Sequence, residues 1–212
     1  MTPELLIAAL LTVVSYLFGG IPAAYIGGRF WGGIDIRQHG NGNVGTVNAV
    51  RTLGMRAGLL ILTADATKGA VVVGIWRVAG ISDYTLFAMV IAVIAVIAVT
   101  AGHNWSPYIG FKGGKGVAVI FGISLAMAPL ISVMVGPLVF AVYYASRSWV
   151  WAFGAGIIAI NVLLIWFGAK VMKITLCLVL SVLVVTTHFA PEYRELRQAL
   201  RDRNWRKLGL LE

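Results

Sequence analysis

The sequence predicts an all-α fold: a polytopic membrane helix bundle of about seven transmembrane helices, N-terminus outside and C-terminus cytoplasmic. Composition is the first reason. Of 212 residues, 59% are hydrophobic and 12% charged, and the mean hydropathy of +0.89 exceeds what a water-soluble core needs. Charge spacing is the second, because uncharged runs of about 20 residues match the roughly 30 Å of hydrocarbon a helix must cross. The third is the distribution of Lys and Arg, which short cytoplasmic loops carry in excess.

The first run is Leu5–Gly28. It starts without a basic segment and outlasts a signal peptide, so it reads as a retained span. Ala57–Trp76 is the second, interrupted only by Asp65 and Lys68, and Tyr84–Gly102 is the third. Gly116–Ser146 has no charge but is broken by Pro129 and Pro137; Ser148–Ala169 and Ile174–Pro191 follow. If the long run is a hairpin of two short helices turning near Pro129, 13 of the 17 Lys and Arg face the cytoplasm. If it crosses once, the split is 8 against 8. The asymmetric arrangement is the one that basic loops favour, and it gives seven spans.

Residues 1–212 read as a single integral membrane domain, with Glu192–Glu212 an interfacial helix of mixed charge. The net charge of +9 follows from this topology and draws anionic lipid and anionic solutes to one face. No basic-aromatic domain lies outside the spans, so nucleic acid is not an expected partner. The lone Cys177 forms no disulfide framework, and three dispersed histidines without a carboxylate cluster predict no metal and no cofactor.

Four polar clusters interrupt the apolar background. Gly40-Asn41-Gly42-Asn43-Val44-Gly45-Thr46-Val47-Asn48 runs on to Arg51 and is preceded by Asp35 and Arg37. Its glycines fit G-x-G-x-x-G with Asp65 20 residues beyond Gly45, but membrane flanks replace the buried strand that a dinucleotide fingerprint requires. What remains is a loop rich in amides and N–H groups, with Arg51 able to grip a phosphate in two places. The second cluster spans 102–118, where four glycines and two lysines share residues 110–116. Gly113, Gly114 and Gly116 let N–H groups approach a ligand, and Lys115 supplies a point charge for phosphate. The loop lacks the Walker A spacing. His103 at its start is a helix cap, a base or a phosphate donor, and Trp105 and Tyr108 read as interfacial anchors. Asp65 and Lys68, three residues apart in the second span, form either an internal ion pair or a substrate contact. His188 closes the last span and is the fourth. The absence of a Gly-x-Ser-x-Gly elbow speaks against a serine hydrolase.

In this order the clusters resemble the bacterial acyl-phosphate:glycerol-3-phosphate acyltransferase family of integral membrane enzymes. The resemblance rests on Gly19-Gly-Ile-Pro22, Asp35-Ile-Arg37, residues 40–54, Asp65-Ala-Thr-Lys68-Gly69, Gly102-His103 and Phe111-Lys-Gly-Gly-Lys115-Gly-Val-Ala118. It implies seven spans at the cell membrane, an active site facing the cytoplasm, and transfer of a fatty acyl group from acyl phosphate to the 1-hydroxyl of glycerol 3-phosphate. The products are lysophosphatidic acid and phosphate, in the first step of phospholipid synthesis, and the chemistry is substrate-assisted. On that reading Arg51, Lys115, Asn43 and Asn48 are catalytic. Asn41, Gly42, Gly45, Thr46, Asp65, Lys68, His103, Gly113, Gly114, Gly116 and His188 bind the substrates beside membrane lipid. The chain departs from the family pattern at Gly20 and Asn41, where serine is usual, at Val47, which replaces a threonine, and at Pro191, which replaces an asparagine. Two alternatives stay open: a small transporter for a phosphorylated or anionic solute, and a divergent inactive relative serving as a partner subunit.

Overall fold

Residues 3–78 and 86–186 are described by the computed structural model; His188, Pro191 and the expected tail helix lie outside them. The first uncharged run folds as two helices rather than one. α1 (Pro3–Gly20) ends before Ile21-Pro22, and α2 (Ala23–Gly32) follows. Pro22 has no N–H to donate and disfavours helical geometry at Ile21, while Gly19 and Gly20 weaken the turn before it. Within the expected span over Leu5–Gly28 the helix is therefore interrupted once, at Ile21-Pro22, and a second short helix continues the apolar segment.

The remaining helices are α3 (Thr46–Leu53), α4 (Met55–Val78), α5 (Leu86–Asn104), α6 (Val117–Met127), α7 (Pro129–Ser146), α8 (Trp149–Trp166) and α9 (Val171–Val184). The long Gly116–Ser146 run breaks where expected. Ala128, at φ −142° and ψ 68°, separates α6 from α7, and Pro129 takes the first helical position of α7, where its missing N–H costs nothing. Among the described residues, four segments are long and apolar enough to cross a membrane: Leu5–Gly32, Met55–Arg77, Val90–Ile109 and Pro129–Ser146. Three shorter apolar helices accompany them, Val117–Met127, Trp151–Trp166 and Val171–Val184.

Three apolar clusters organise the described residues, the smallest joining Ala128, Leu164 and Cys177, and the other two position the polar loops. The larger joins α4, α5, α6 and α9 through side chains such as Val73, Val99, Ile123, Leu176 and Leu180, none more than 2% exposed. Small residues bring the backbones close, as is usual where lipid offers no hydrophobic drive. A β-carbon at Gly19 would strike the Val99 carbonyl, and one at Gly102 the Tyr16 carbonyl, so α1 and α5 meet backbone to backbone. The smaller core gathers Ala24, Ile36, Val44, Ala49, Ile61 and Ile109. These six come from α2, the two polar loops, α3 and α4. They form an apolar floor that fixes the loops against the end of the bundle.

Candidate active site

The Asn/Gly loop is built around Asn48. This side chain is 1% exposed, and its Nδ2 donates to the carbonyls of Ile36, His39 and Asn43 at 3.2, 3.0 and 3.0 Å. Its Oδ1 accepts the Asn41 N–H at 3.1 Å. Every polar atom of Asn48 is thus spent on the loop, so the side chain expected to orient a substrate instead shapes the turn. Asn41 also works inward, its Oδ1 accepting the Asn43 N–H at 3.1 Å in an Asx-type turn. Two groups are left over. The half-buried Asn43 side chain makes no hydrogen bond among the described residues, and the Thr46 hydroxyl is buried without a partner. Both stand at the start of α3, whose N-cap is Gly45. Arg51 lies exposed in the last turn of the same helix.

The Gly/Lys loop folds back on the end of α5. Gly113 and Gly114 donate to the carbonyls of Asn104 and His103, both at 3.0 Å, which satisfies carbonyls that a helix C-terminus leaves open. The approach excludes any side chain. A β-carbon at Gly113 would collide with the His103 carbonyl, and one at Gly114 with His103 Nε2 and the Val44 carbonyl. Lys115 follows, half-buried, and Gly116 at φ +78° caps α6.

Val44 and Gly114 are therefore the point where the two loops touch. Gly45 and Gly116, the caps of α3 and α6, stand one and two residues beyond it. Two helix N-termini open beside each other, each with free N–H groups and a partial positive charge. Asp35 and Arg37 lock this register from the side. Asp35 accepts from Arg37 N–H at 3.1 Å, Arg37 Nε at 2.9 Å, Arg37 Nη2 at 2.7 Å and Arg29 Nη2 at 3.3 Å. Arg37 Nη1 then reaches the Ile109 carbonyl at 3.2 Å, and both guanidinium groups lie over the Tyr25 ring. The hydrogen bonds from the Arg37 side chain hold the Asp35 pKa near 2 against the opposing effect of burial.

Asp65 and Lys68 sit beneath the loops. Lys68 Nζ donates to Asp65 Oδ1 at 2.6 Å and to the Ile21 carbonyl at 2.5 Å, with both side chains no more than 5% exposed. The Ile21 carbonyl, released from regular helical pairing by the Pro22 break and also accepting the Ala23 N–H at 3.1 Å, thus anchors the lysine. Asp65 Oδ1 also lies 3.5 Å from His103 Nδ1, whose other nitrogen faces Gly114. The pair expected as an ion pair or a substrate contact is placed as an internal ion pair that backs His103. Sequence reasoning named Asp35 and Arg37 without giving them a task and missed Ser106, whose Oγ donates to the Gly20 carbonyl at 2.5 Å. The signal available was an acid two residues before an arginine at a turn, a local pairing pattern. The described residues contain no cluster of three or more metal-ligating side chains.

Fold and site define an integral membrane helix bundle with a polar, basic site assembled from two loops at one end. The chain belongs to the glycerol-3-phosphate acyltransferase family, whose model matches residues 9–198. A protein of Moorella thermoacetica called glycerol-3-phosphate acyltransferase 2 is 45% identical over 118 residues, 56% of this chain and 57% of that one. A Synechococcus glycerol-3-phosphate acyltransferase is 47% identical over 124 residues, 58% of each; the chain spans under three fifths of the length of these two relatives. A Thermus thermophilus glycerol-3-phosphate acyltransferase is 33% identical over 197 residues, 93% of each. Among solved structures, PlsY, an integral membrane glycerol 3-phosphate acyltransferase, superposes with a TM-score of 0.74 in its glycerol 3-phosphate form and 0.75 in its lysophosphatidic acid form. Its identity is 27%, over 90% of this chain and 92% of that one.

Proposed function

We propose that the protein transfers a fatty acyl group from acyl phosphate to the 1-hydroxyl of glycerol 3-phosphate, with the active site facing the cytoplasm. The observation that carries this reading is the meeting of Val44 with Gly114. It sets two helix N-termini side by side, next to Lys115, which suits a reaction in which both partners bear phosphate. The family and the names of its relatives support the same reaction.

In this reaction the glycerol 1-hydroxyl oxygen forms a bond to the acyl carbon, and the acyl carbon–phosphate oxygen bond breaks. The hydroxyl proton passes to the departing phosphate, so no protein base is required. The residues bind and orient. Lys115 and Arg51 neutralise phosphate charge, and Asn43, Thr46 and the N–H groups of Gly45 and Gly116 direct hydrogen bonds at the substrates, while the N–H groups of Gly42, Gly113 and Gly114, given to the His39, Asn104 and His103 carbonyls, shape the two turns. His103, backed by Asp65 and Lys68, holds the Gly114 turn, and Asn41 and Asn48 hold the other. An apolar groove between α1, α4 and α5, lined by Phe18, Val71, Val72, Ile75 and Ala95, begins one turn beyond Lys68 and takes the acyl chain.

The test is reconstitution with acyl phosphate and labelled glycerol 3-phosphate. Lys115→Ala and Arg51→Ala should each cut turnover by about 10²–10³-fold, the usual effect of losing one charge-stabilising group, while the unfolding temperature holds. Wild-type rates in either variant remove that residue from the mechanism. Absence of lysophosphatidic acid from the wild-type protein, together with solute uptake into vesicles, replaces transfer with transport.

A further inference from the structure

Asn104 ends α5 directly against the Gly/Lys loop and is 6% exposed. Its backbone carbonyl is occupied by the Gly113 N–H. Its side chain is not: Nδ2 and Oδ1 are both buried and neither has a hydrogen-bond partner among the described residues. Native folds pair nearly all such atoms, and a buried carboxamide idle at both ends stands out.

The position of this amide gives it a use. Gly116 caps the eleven-residue helix α6, and a β-carbon there would lie 2.8 Å from Asn104 Oδ1. The carboxamide therefore lies against the first turn of α6, where pairing inside the helix begins only with Ile120 N–H to the Gly116 carbonyl. The N–H groups of Val117 and Ala118, both half-buried, have no partner inside the helix and suit an anion. Thr100 shares the contact with Gly116, but its hydroxyl is already given to the Val96 carbonyl at 2.8 Å, so Asn104 is the available side chain.

A bare anion would satisfy Nδ2 and the N–H groups but would leave Oδ1 facing negative oxygens. A ligand that satisfies both ends carries a hydroxyl proton beside its phosphate. A carboxamide takes up no proton, so it suits a hydroxyl that keeps its own. We infer that Asn104 is a substrate-binding residue that reads the unreacting 2-hydroxyl of the polyol phosphate, Oδ1 accepting its proton and Nδ2 donating to oxygen. This rests on the acyl-transfer reading and assigns the side chain that recognises the acceptor.

The experiment compares glycerol 3-phosphate with 3-hydroxypropyl phosphate, which keeps the phosphate and the reacting hydroxyl but lacks the 2-hydroxyl. The intact enzyme should favour glycerol 3-phosphate in kcat/KM by about tenfold, the scale of one neutral hydrogen bond. Asn104→Leu and Asn104→Ala should bring that ratio close to one, chiefly through KM. A parallel arm needs no turnover: titration calorimetry with glycerol 3-phosphate and with inorganic phosphate. The variants should bind inorganic phosphate as the wild type does and glycerol 3-phosphate about tenfold more weakly. Should the leucine and alanine variants unfold, Asn104→Ser is measured in their place. Retention of the wild-type preference overturns the assignment, as does an equal loss for both substrates or a matching loss of inorganic phosphate binding. If the wild type makes no lysophosphatidic acid at all, acyl transfer fails, while the calorimetry still decides the role of Asn104.

Discussion

Arg37 spans 72 residues of sequence to reach the Ile109 carbonyl, and Asp35 is the group that aims it. The Asp35 pKa lies near 2, below the ordinary 3.8. A carboxylate depressed in this way adds stability that is complete above the unfolded value and is lost as pH falls from about 4 toward 2. Between pH 5 and 9 the clamp should therefore stay charged and contribute no inflection to a pH–rate profile. Asp35→Asn keeps the shape but loses the charge that orients Arg37, and misplacement at this scale lowers turnover by up to about 100-fold. Steady-state rates across that pH range check both points: a profile of wild-type shape, uniformly lowered, is expected, and undiminished activity would leave the clamp without a role. Asn48 shows where legibility stopped. An amide in a glycine-rich loop has the same composition whether it binds a ligand or its own backbone. Only the fold reveals that Asn48 serves three carbonyls and one N–H. The glycines were more readable, because a loop that crowded against His103 and Val44 admits no other residue at 113 and 114.

At the scale of elements, α4 carries the charges that a membrane helix least tolerates, and the break in the preceding run explains them. Lys68 binds Asp65 and the Ile21 carbonyl, so the Pro22 interruption supplies an acceptor that a continuous helix would have kept for itself. Charge gaps and hydropathy located the apolar segments and the Ala128 break well, since those depend on composition and on proline. They did not locate the helix break inside the first span, because a count of apolar residues does not register a local turn at Ile21-Pro22. Removing one partner of a buried pair leaves the other charge uncompensated, at about 3–5 kcal/mol. Asp65→Ala should therefore destabilise strongly, whereas Asp65→Leu combined with Lys68→Met should come near the wild type, because well-packed apolar replacements avoid the desolvation cost. Thermal unfolding in detergent distinguishes the two. A single variant as stable as the double would show that the pair is not what pins α4 to the α1–α2 junction.

For the whole molecule, the helical bundle follows from one physical constraint, that backbone and buried charge must be satisfied in hydrocarbon. The uncharged runs made the helical segments legible, but the joining of the Asn/Gly and Gly/Lys loops was not, because it depends on an apolar floor of six residues drawn from distant segments. Sidedness is the part that charge counting alone carries, and it can be measured directly. Cys177 is the single cysteine of the chain and is buried, 4% exposed, so a membrane-impermeant maleimide has a silent background. Lys112, Ser146 and Lys170 are exposed, in the Gly/Lys loop, the last turn of α7 and the turn before α9. In the hairpin arrangement, cysteine at 112 and at 146 should label only in inverted vesicles, and cysteine at 170 only in right-side-out ones. If residues 116–146 crossed once, 146 and 170 would exchange sides while 112 stayed. The break at Ala128 and the basic excess on one face both favour the first pattern, because a span that turns back keeps Arg147 with the basic loops and leaves Lys170 and Lys173 opposite.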